Sequence, residues 1–166
     1  MNNYNFSIKC RQEFNVSSSI IWSIISKESN LDLYHPFCKK NDVISWKDDN
    51  HHDRLEYLNG VVLERKFTSW NKEKGYELNI GRKNGRHSHV SWTIENISEN
   101  KSALSNEVHP WMINQGNKVF QFFPFRLFVK PQLKSYLNSV LSGLKWHVEN
   151  NEITPKNHFG KLSWFS

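Results

Sequence analysis

The chain has 166 residues, 37% of them hydrophobic and 14% aromatic, and a net charge of +6 at pH 7. That length suits a single domain, residues 1–166, able to bury roughly 70% of its unfolded surface without metal or disulfide staples. No apolar run approaches the ~18 residues of a membrane span, Cys10 and Cys38 lack redox or metal-ligand spacing, and the first residues hold no apolar signal segment, so a cytoplasmic protein is expected.

Residues 6–14 alternate strictly, with Phe6, Ile8, Cys10, Gln12 and Phe14 on one face and Ser7, Lys9, Arg11 and Glu13 on the other. This is the pattern of a half-buried strand. Asn15-Val16-Ser17 is a helix-start signal, and Ile20, Ile21, Ile24 and Ile25 form a short apolar stripe after it. A second short helix or turn around NLDLYHPFC is stopped by Pro36. From Val43 to Trp111 the pattern is strands and tight turns. Asn59-Gly60 and Asn84-Gly85 are strong hairpin signals, and Asn100-Lys101 marks a third turn. Six consecutive strands form an antiparallel meander, and the first strand makes seven. The stretch FQFFPFRLFVKP follows, rich in phenylalanine and interrupted by Pro124 and Pro131. Leu133, Leu137, Val140, Leu144 and Val148 then recur at helical spacing, with Pro131 suited to the helix start. Gly143 in mid-helix costs ~1 kcal/mol relative to alanine and marks a close approach or a bend.

The order strand, two short helices, six-strand meander and long helix resembles the helix-grip fold of the START-like superfamily, also called SRPBCC. The residues that carry the resemblance are FNVSSSIIWSIIS, NLDLYHPFC, Trp46, Asp53-Arg54-Leu55, Asn59-Gly60, Trp70, Gly75-Tyr76, PQLKSYLNSVLSGLKWHVEN and NHFG. The pattern covers about residues 6–148. The resemblance implies an α+β fold in which a curved seven-stranded antiparallel sheet surrounds a long C-terminal helix, with two short helices after the first strand. It implies three functions: a carrier of a hydrophobic or amphipathic small molecule such as a lipid or polyketide-like compound, a polyketide cyclase or dehydratase working in the same cavity, or a protein-interaction module like the chaperone activators. It transfers no catalytic residue.

If the apolar phase of each strand faces inward, the polar residues on that face are Gln12, Arg65 and Asn106. A buried arginine needs a partner, because an unpaired buried charge costs several kcal/mol. Arg65 therefore holds either a ligand carboxylate or phosphate, oriented by Gln12 and Asn106, or an internal partner such as Asp53 or Glu56, unless it sits at the open rim. Phe67, Tyr76 and Trp92 join the expected ligand-binding wall, and Tyr136, Val140 and His147 join it from the helix. An enzyme reading has only Arg65 with His147 or Tyr136 as an acid/base pair, while His147 also suits a helix end. His35 and His109 each precede a proline and are expected at element ends, where either can face the cavity mouth. Asp48 to Asp53, DDNHHD, is read as a polar turn rather than a metal site, since adjacent histidines of a strand point to opposite faces. No metal and no cofactor are expected.

Phe120, Phe123, Phe125 and Phe128 have three readings: core packing against the last helix, a lid over the cavity, or a transient contact with an anionic membrane flanked by Arg126 and Lys130. The basic tip Arg82, Lys83, Arg86 and His87 is read as a solvated hairpin. Nucleic acid is not an expected partner, because this patch has no aromatic residues for base stacking.

Overall fold

The computed structural model describes residues 6–47, 50–114 and 122–166. Strand β1 (Ile8–Phe14) realises the alternation of its sequence: Ile8, Cys10 and Phe14 are buried while Lys9 and Arg11 are exposed. On the wet face Arg11 bridges Glu13 and Glu95, and Lys101 reaches Glu13 at 2.7 Å. Helix α1 (Ser18–Ile25) starts after Ser17 in extended conformation and buries Ile21, Trp22 and Ile25. Helix α2 (Leu31–Tyr34) is one turn long and ends ahead of Pro36, whose ring disfavours helical backbone at His35.

The meander follows as β2 (Cys38–Lys47), β3 (Asn50–Tyr57), β4 (Val62–Asn71), β5 (Gly75–Gly81), β6 (His87–Ser98) and β7 (Lys101–His109). All seven strands form one antiparallel sheet in the order β1-β7-β6-β5-β4-β3-β2. Strand β2 begins at Cys38, well before Val43 where the sequence pattern places the strand region. His51 and Asp53 are buried residues of β3, at 8% and 0% exposure. This corrects the reading of DDNHHD as a turn: Asn50 to Asp53 belong to β3, and Asp48 and Asp49 lie outside the described residues. The residues of β3 that alternate inward are His51, Asp53, Leu55 and Tyr57, so the polar pair simply occupies the core phase of a strand.

Register shifts interrupt β2 between Val43 and Ser45 and β4 between Phe67 and Ser69. Each is a bulge that moves the next side chains to the other face. Arg82 to His87 form the exposed β5–β6 tip.

After a short 3-10 turn (Trp111–Ile113), the long C-terminal helix runs from Phe122 to Asn150. Its first part includes a π-helical turn, Phe125–Val129, before regular helix α3 (Lys130–Asn150). Leu137, Val140, Leu141 and Leu144 are its buried stripe. Gly143 meets the close approach expected of it: a Cβ there would lie 2.2 Å from the carbonyl oxygen of Tyr34. The helix ends at Asn151 in left-handed conformation, and the chain then folds back. Thr154 ties it down, donating from Oγ1 to Gly143 and from its backbone N–H to Leu33. The concave side of the sheet, α1, α2 and α3 share one hydrophobic core.

Candidate functional site

The concave face has two ends along the strands. At one end the rings of Trp22, Trp46, His51, Phe67, Trp70 and Tyr76 pack on one another. His51 stacks on Trp70 at 3.8 Å between centroids, Trp70 stacks on Tyr76 at 5.4 Å, and Phe67 meets Tyr76 edge-on at 5.0 Å. Trp22 of α1 closes the group against Trp70 at 5.3 Å. Simple alternation along β4 puts Trp70 on the outer face. The bulge after Phe67 turns it inward.

Arg65 stands at the boundary of this cluster, its guanidinium 5.3 Å from the Phe67 ring centre. It is 3% exposed and forms a two-point pair with Asp53: Nε donates to Oδ1 at 2.8 Å and Nη2 to Oδ2 at 2.5 Å. Nη2 also faces Asn30 Oδ1 at 3.4 Å, and Asn30 Nδ2 donates to the Ile25 carbonyl. Burial opposes the arginine's charge, but the adjacent Asp53 carboxylate outweighs it and holds the pKa above its usual value. The positive charge is thus matched inside the protein.

Beyond Arg65 the other end of the concave face is open. A cavity of about 260 Å³ lies between sheet and α3, just under the roughly 300–1,000 Å³ common for ligand sites. Its floor is Leu55, Leu63, Leu78, Ile80, Val90 and Val108, and its roof is Val129, Leu133, Leu137 and Val140. Trp111 and Met112 line it after β7, and Trp164 and Phe165 line it from the returning C-terminal segment. Phe165 stacks on Tyr136 at 4.1 Å and lies 5.2 Å from the Tyr57 ring. Asn59 donates to the Trp164 carbonyl at 2.8 Å, and Ser166 Oγ to Asn157 Oδ1 at 2.7 Å. These bonds hold the segment in place.

Polar atoms on this wall are few. His35, Tyr136 and Tyr57 form a chain: His35 Nε2 is 2.9 Å from the Tyr136 hydroxyl, which is 2.9 Å from the Tyr57 hydroxyl. The Phe37 N–H donates to His35 Nδ1 at 3.2 Å, so the ring proton resides on Nε2. Burial, reinforced by Arg65 and Lys156, pushes the His35 pKa down to about 3. Burial pushes the Tyr57 phenol up to about 12 and that of Tyr136 well up also. At neutral pH all three are uncharged. Asn106 is 3% exposed, lines the cavity, and has no hydrogen-bond partner for Oδ1 among the described residues.

Of the residues expected at the site, Arg65, Trp92, Asn106, Tyr136 and Val140 line the cavity. Gln12 does not: its amide donates to the Glu13 carbonyl at 3.0 Å, next to it on β1. Phe67 and Tyr76 belong to the ring cluster at the other end. His147 lies in the last turn of α3, where Nδ1 donates to the Glu152 carbonyl at 2.6 Å, the helix-end role. Among the four phenylalanines, Phe120 lies outside the described residues. Phe125 is 7% exposed and packs on Phe6 at 4.9 Å, whereas Phe123 and Phe128 are 67% and 68% exposed. None of these three lines the cavity. Sequence reasoning missed Trp164 and Phe165 altogether. It placed His35 at an element end facing the cavity mouth, without its link to Tyr136. Among the described residues no cluster of histidine, cysteine and acidic side chains can hold a metal.

No family model and no curated protein matches the chain. Solved structures do. A START superfamily protein from Mycobacterium smegmatis superposes with a TM-score of 0.67 over 87% of this chain and 98% of its own, at 14% identity. The fold is START-like. A Thermus thermophilus protein, TTHA0849, gives a TM-score of 0.69 at 11% identity, covering 88% of this chain and 99% of that one. The Zhui aromatase/cyclase from Streptomyces sp. R1128 gives 0.62 at 9% identity, covering 88% and 97%. The helix-grip architecture implied by the element order is therefore shared with START-like proteins across nearly the full chain. Likeness at this identity fixes the fold alone.

Proposed function

We propose that the protein binds and carries a hydrophobic or amphipathic small molecule in the cavity beneath α3. The observation that carries this reading is the cavity itself, a largely apolar space with a few placed polar groups. The likeness of the fold to a START superfamily protein and to an aromatase/cyclase accords with such a ligand. Binding is favoured over cyclase or dehydratase chemistry by the state of the wall: His35 is held neutral, Tyr57 and Tyr136 are held protonated, and Arg65 is paired. None of these shifts leaves an acid or base poised near neutral pH, which proton-transfer catalysis favours. An interaction module of the chaperone-activator kind does not account for the open space. Titration with an apolar fluorophore tests the proposal. One site per chain is expected, lost in Val140→Trp, which fills the roof. Equal binding by both proteins contradicts it.

A second reading concerns the exposed turn. Phe123, Leu127 and Phe128 stand in solvent beside the exposed cations Arg126 and Lys130, on and around the π-helical turn that ends at Val129 of the cavity wall. We propose that this face touches anionic membranes transiently during ligand exchange. Sedimentation with phosphatidylserine vesicles tests it. Binding is expected to weaken in Phe123→Ser/Phe128→Ser, and unchanged binding sinks the idea.

A further inference from the structure

The chain His35–Tyr136–Tyr57 holds more donor protons than acceptors. His35 Nδ1 accepts from the Phe37 N–H, so Nε2 carries the proton and donates to the Tyr136 oxygen. The two phenols share one further bond. Three protons (Nε2–H and two O–H) thus meet only two links, and one phenolic proton has no acceptor among the described residues. The arrangement in which each group both accepts and donates is cooperative, running from His35 to Tyr136 to Tyr57. It leaves the Tyr57 O–H as the terminal donor. The reverse order leaves the Tyr136 O–H instead, and both rings line the cavity.

Asn106 presents the opposite need: its Oδ1 is buried and has no donor among the described residues. It lies on β7, separated from Tyr57 on β3 by β4, β5 and β6. Four strand spacings amount to ~19 Å along the sheet, and less across its concave side. Between the two lie apolar side chains. Among the described residues, Arg65 is the only lysine or arginine side chain of the lining and is paired with Asp53, and no aspartate or glutamate lines the wall.

We infer that the cavity selects an uncharged, elongated lipophile with a carbonyl-type acceptor oxygen at one end, bound by the Tyr57–Tyr136 hydroxyls, and a hydroxyl or N–H donor at the other, bound by Asn106 Oδ1. Among the described lining residues a carboxylate finds no free cation, and an amine finds no free carboxylate. The inference rests on the carrier reading of the same cavity and adds its polarity code.

The test is a matched set of medium-chain probes: a hydroxy-ketone with its two groups at opposite ends, and the corresponding ketone, alcohol, alkane and carboxylate. Each is measured by displacement of an apolar fluorophore. The hydroxy-ketone is expected to bind roughly three- to tenfold tighter than the ketone or the alcohol, as one added hydrogen bond provides, and the carboxylate is expected to bind weakest. Tyr57→Phe/Tyr136→Phe, which keeps both rings, removes the preference for the ketone over the alkane. Asn106→Leu removes the preference for the alcohol. Circular dichroism and a thermal melt establish that the variants are folded. If probes bind in order of apolar area alone, or the carboxylate binds tightest, the polarity code is wrong while the carrier reading stands. If neither fluorophore nor probes bind the wild-type protein, the carrier reading falls and the code with it. Should the phenol variant fail to fold, Asn106→Leu and the wild-type probe ranking still decide the matter.

Discussion

At one end of the concave face, Trp22, Trp46, His51, Phe67, Trp70 and Tyr76 fill the space ring against ring. At the other end, aliphatic floor and roof leave about 260 Å³ between them. Rings fill the solid end from sheet to helix, whereas at the other end the rings of Trp92, Trp111, Tyr136 and Phe165 stand around an aliphatic floor and roof that do not meet. Aromatic content alone therefore does not mark a ligand pocket. Flat rings on adjacent strands interlock by stacked and edge-on contacts, whereas Val90, Val108 and Val140 are too short to close the distance from sheet to helix.

Arg65 separates the two ends, and its loss has the largest expected effect. Arg65→Ala leaves Asp53 charged and buried, so the unfolding free energy should fall by about 3–5 kcal/mol. In Arg65→Met/Asp53→Leu much of that loss should return, since an apolar pair needs no charge compensation. Urea unfolding measures both. If Arg65→Ala keeps its stability, the ion pair does not hold the boundary.

The solid end should behave as core. Tyr76→Ala is expected to cost about 3–5 kcal/mol of stability, with apolar-fluorophore affinity little changed. Val140→Trp should do the reverse, with affinity lost for a smaller stability cost of about 1–3 kcal/mol. Similar behaviour of the two variants in both measurements would erase the distinction between the ends.

The cavity end also has a pH signature. The folded pKa of His35 lies near 3, below its ordinary 6.5, because burial opposes the charged ring and Arg65 and Lys156 add to the effect. Below pH 6.5 the unfolded chain takes up a proton that the folded chain refuses. Stability from this group is complete above 6.5 and declines as pH falls towards 3. His35→Phe should flatten that part of the stability–pH curve, as followed by urea midpoints. An unchanged slope would mean that His35 is not held neutral.

The smallest contrast lies on the leading turns of the C-terminal helix. Phe125→Ser should cost about 3 kcal/mol, because its buried ring packs on Phe6. Phe128→Ser, at an exposed site, should change stability by less than about 0.5 kcal/mol. Thermal melts of the two variants decide whether this phenylalanine-rich segment has a packed side and a wet side.

Much of the architecture was legible in the sequence. Strict alternation made β1 plain, asparagine-glycine turns placed the hairpins, and helical spacing from Leu133 to Val148 marked α3. Gly143 announced a close approach or a bend, and the structure shows the approach, to the Tyr34 carbonyl. The site was less legible because it depends on events that spacing does not encode. A bulge after Phe67 brings Trp70 inside and completes a solid cluster around Phe67 and Tyr76. The buried residues of β3 include His51 and Asp53, whose polarity suggests a turn until Arg65 is seen opposite. Trp164 and Phe165 reach the cavity only because the chain reverses after Asn151, a tertiary fold-back that no local pattern predicts.

Native mass spectrometry of protein purified without organic solvent tests the carrier account most directly. The account predicts a second mass state, heavier by one small uncharged molecule and released on denaturation, that is depleted in Val140→Trp. A single unliganded mass, together with no uptake of apolar fluorophore by the wild-type protein, would contradict it.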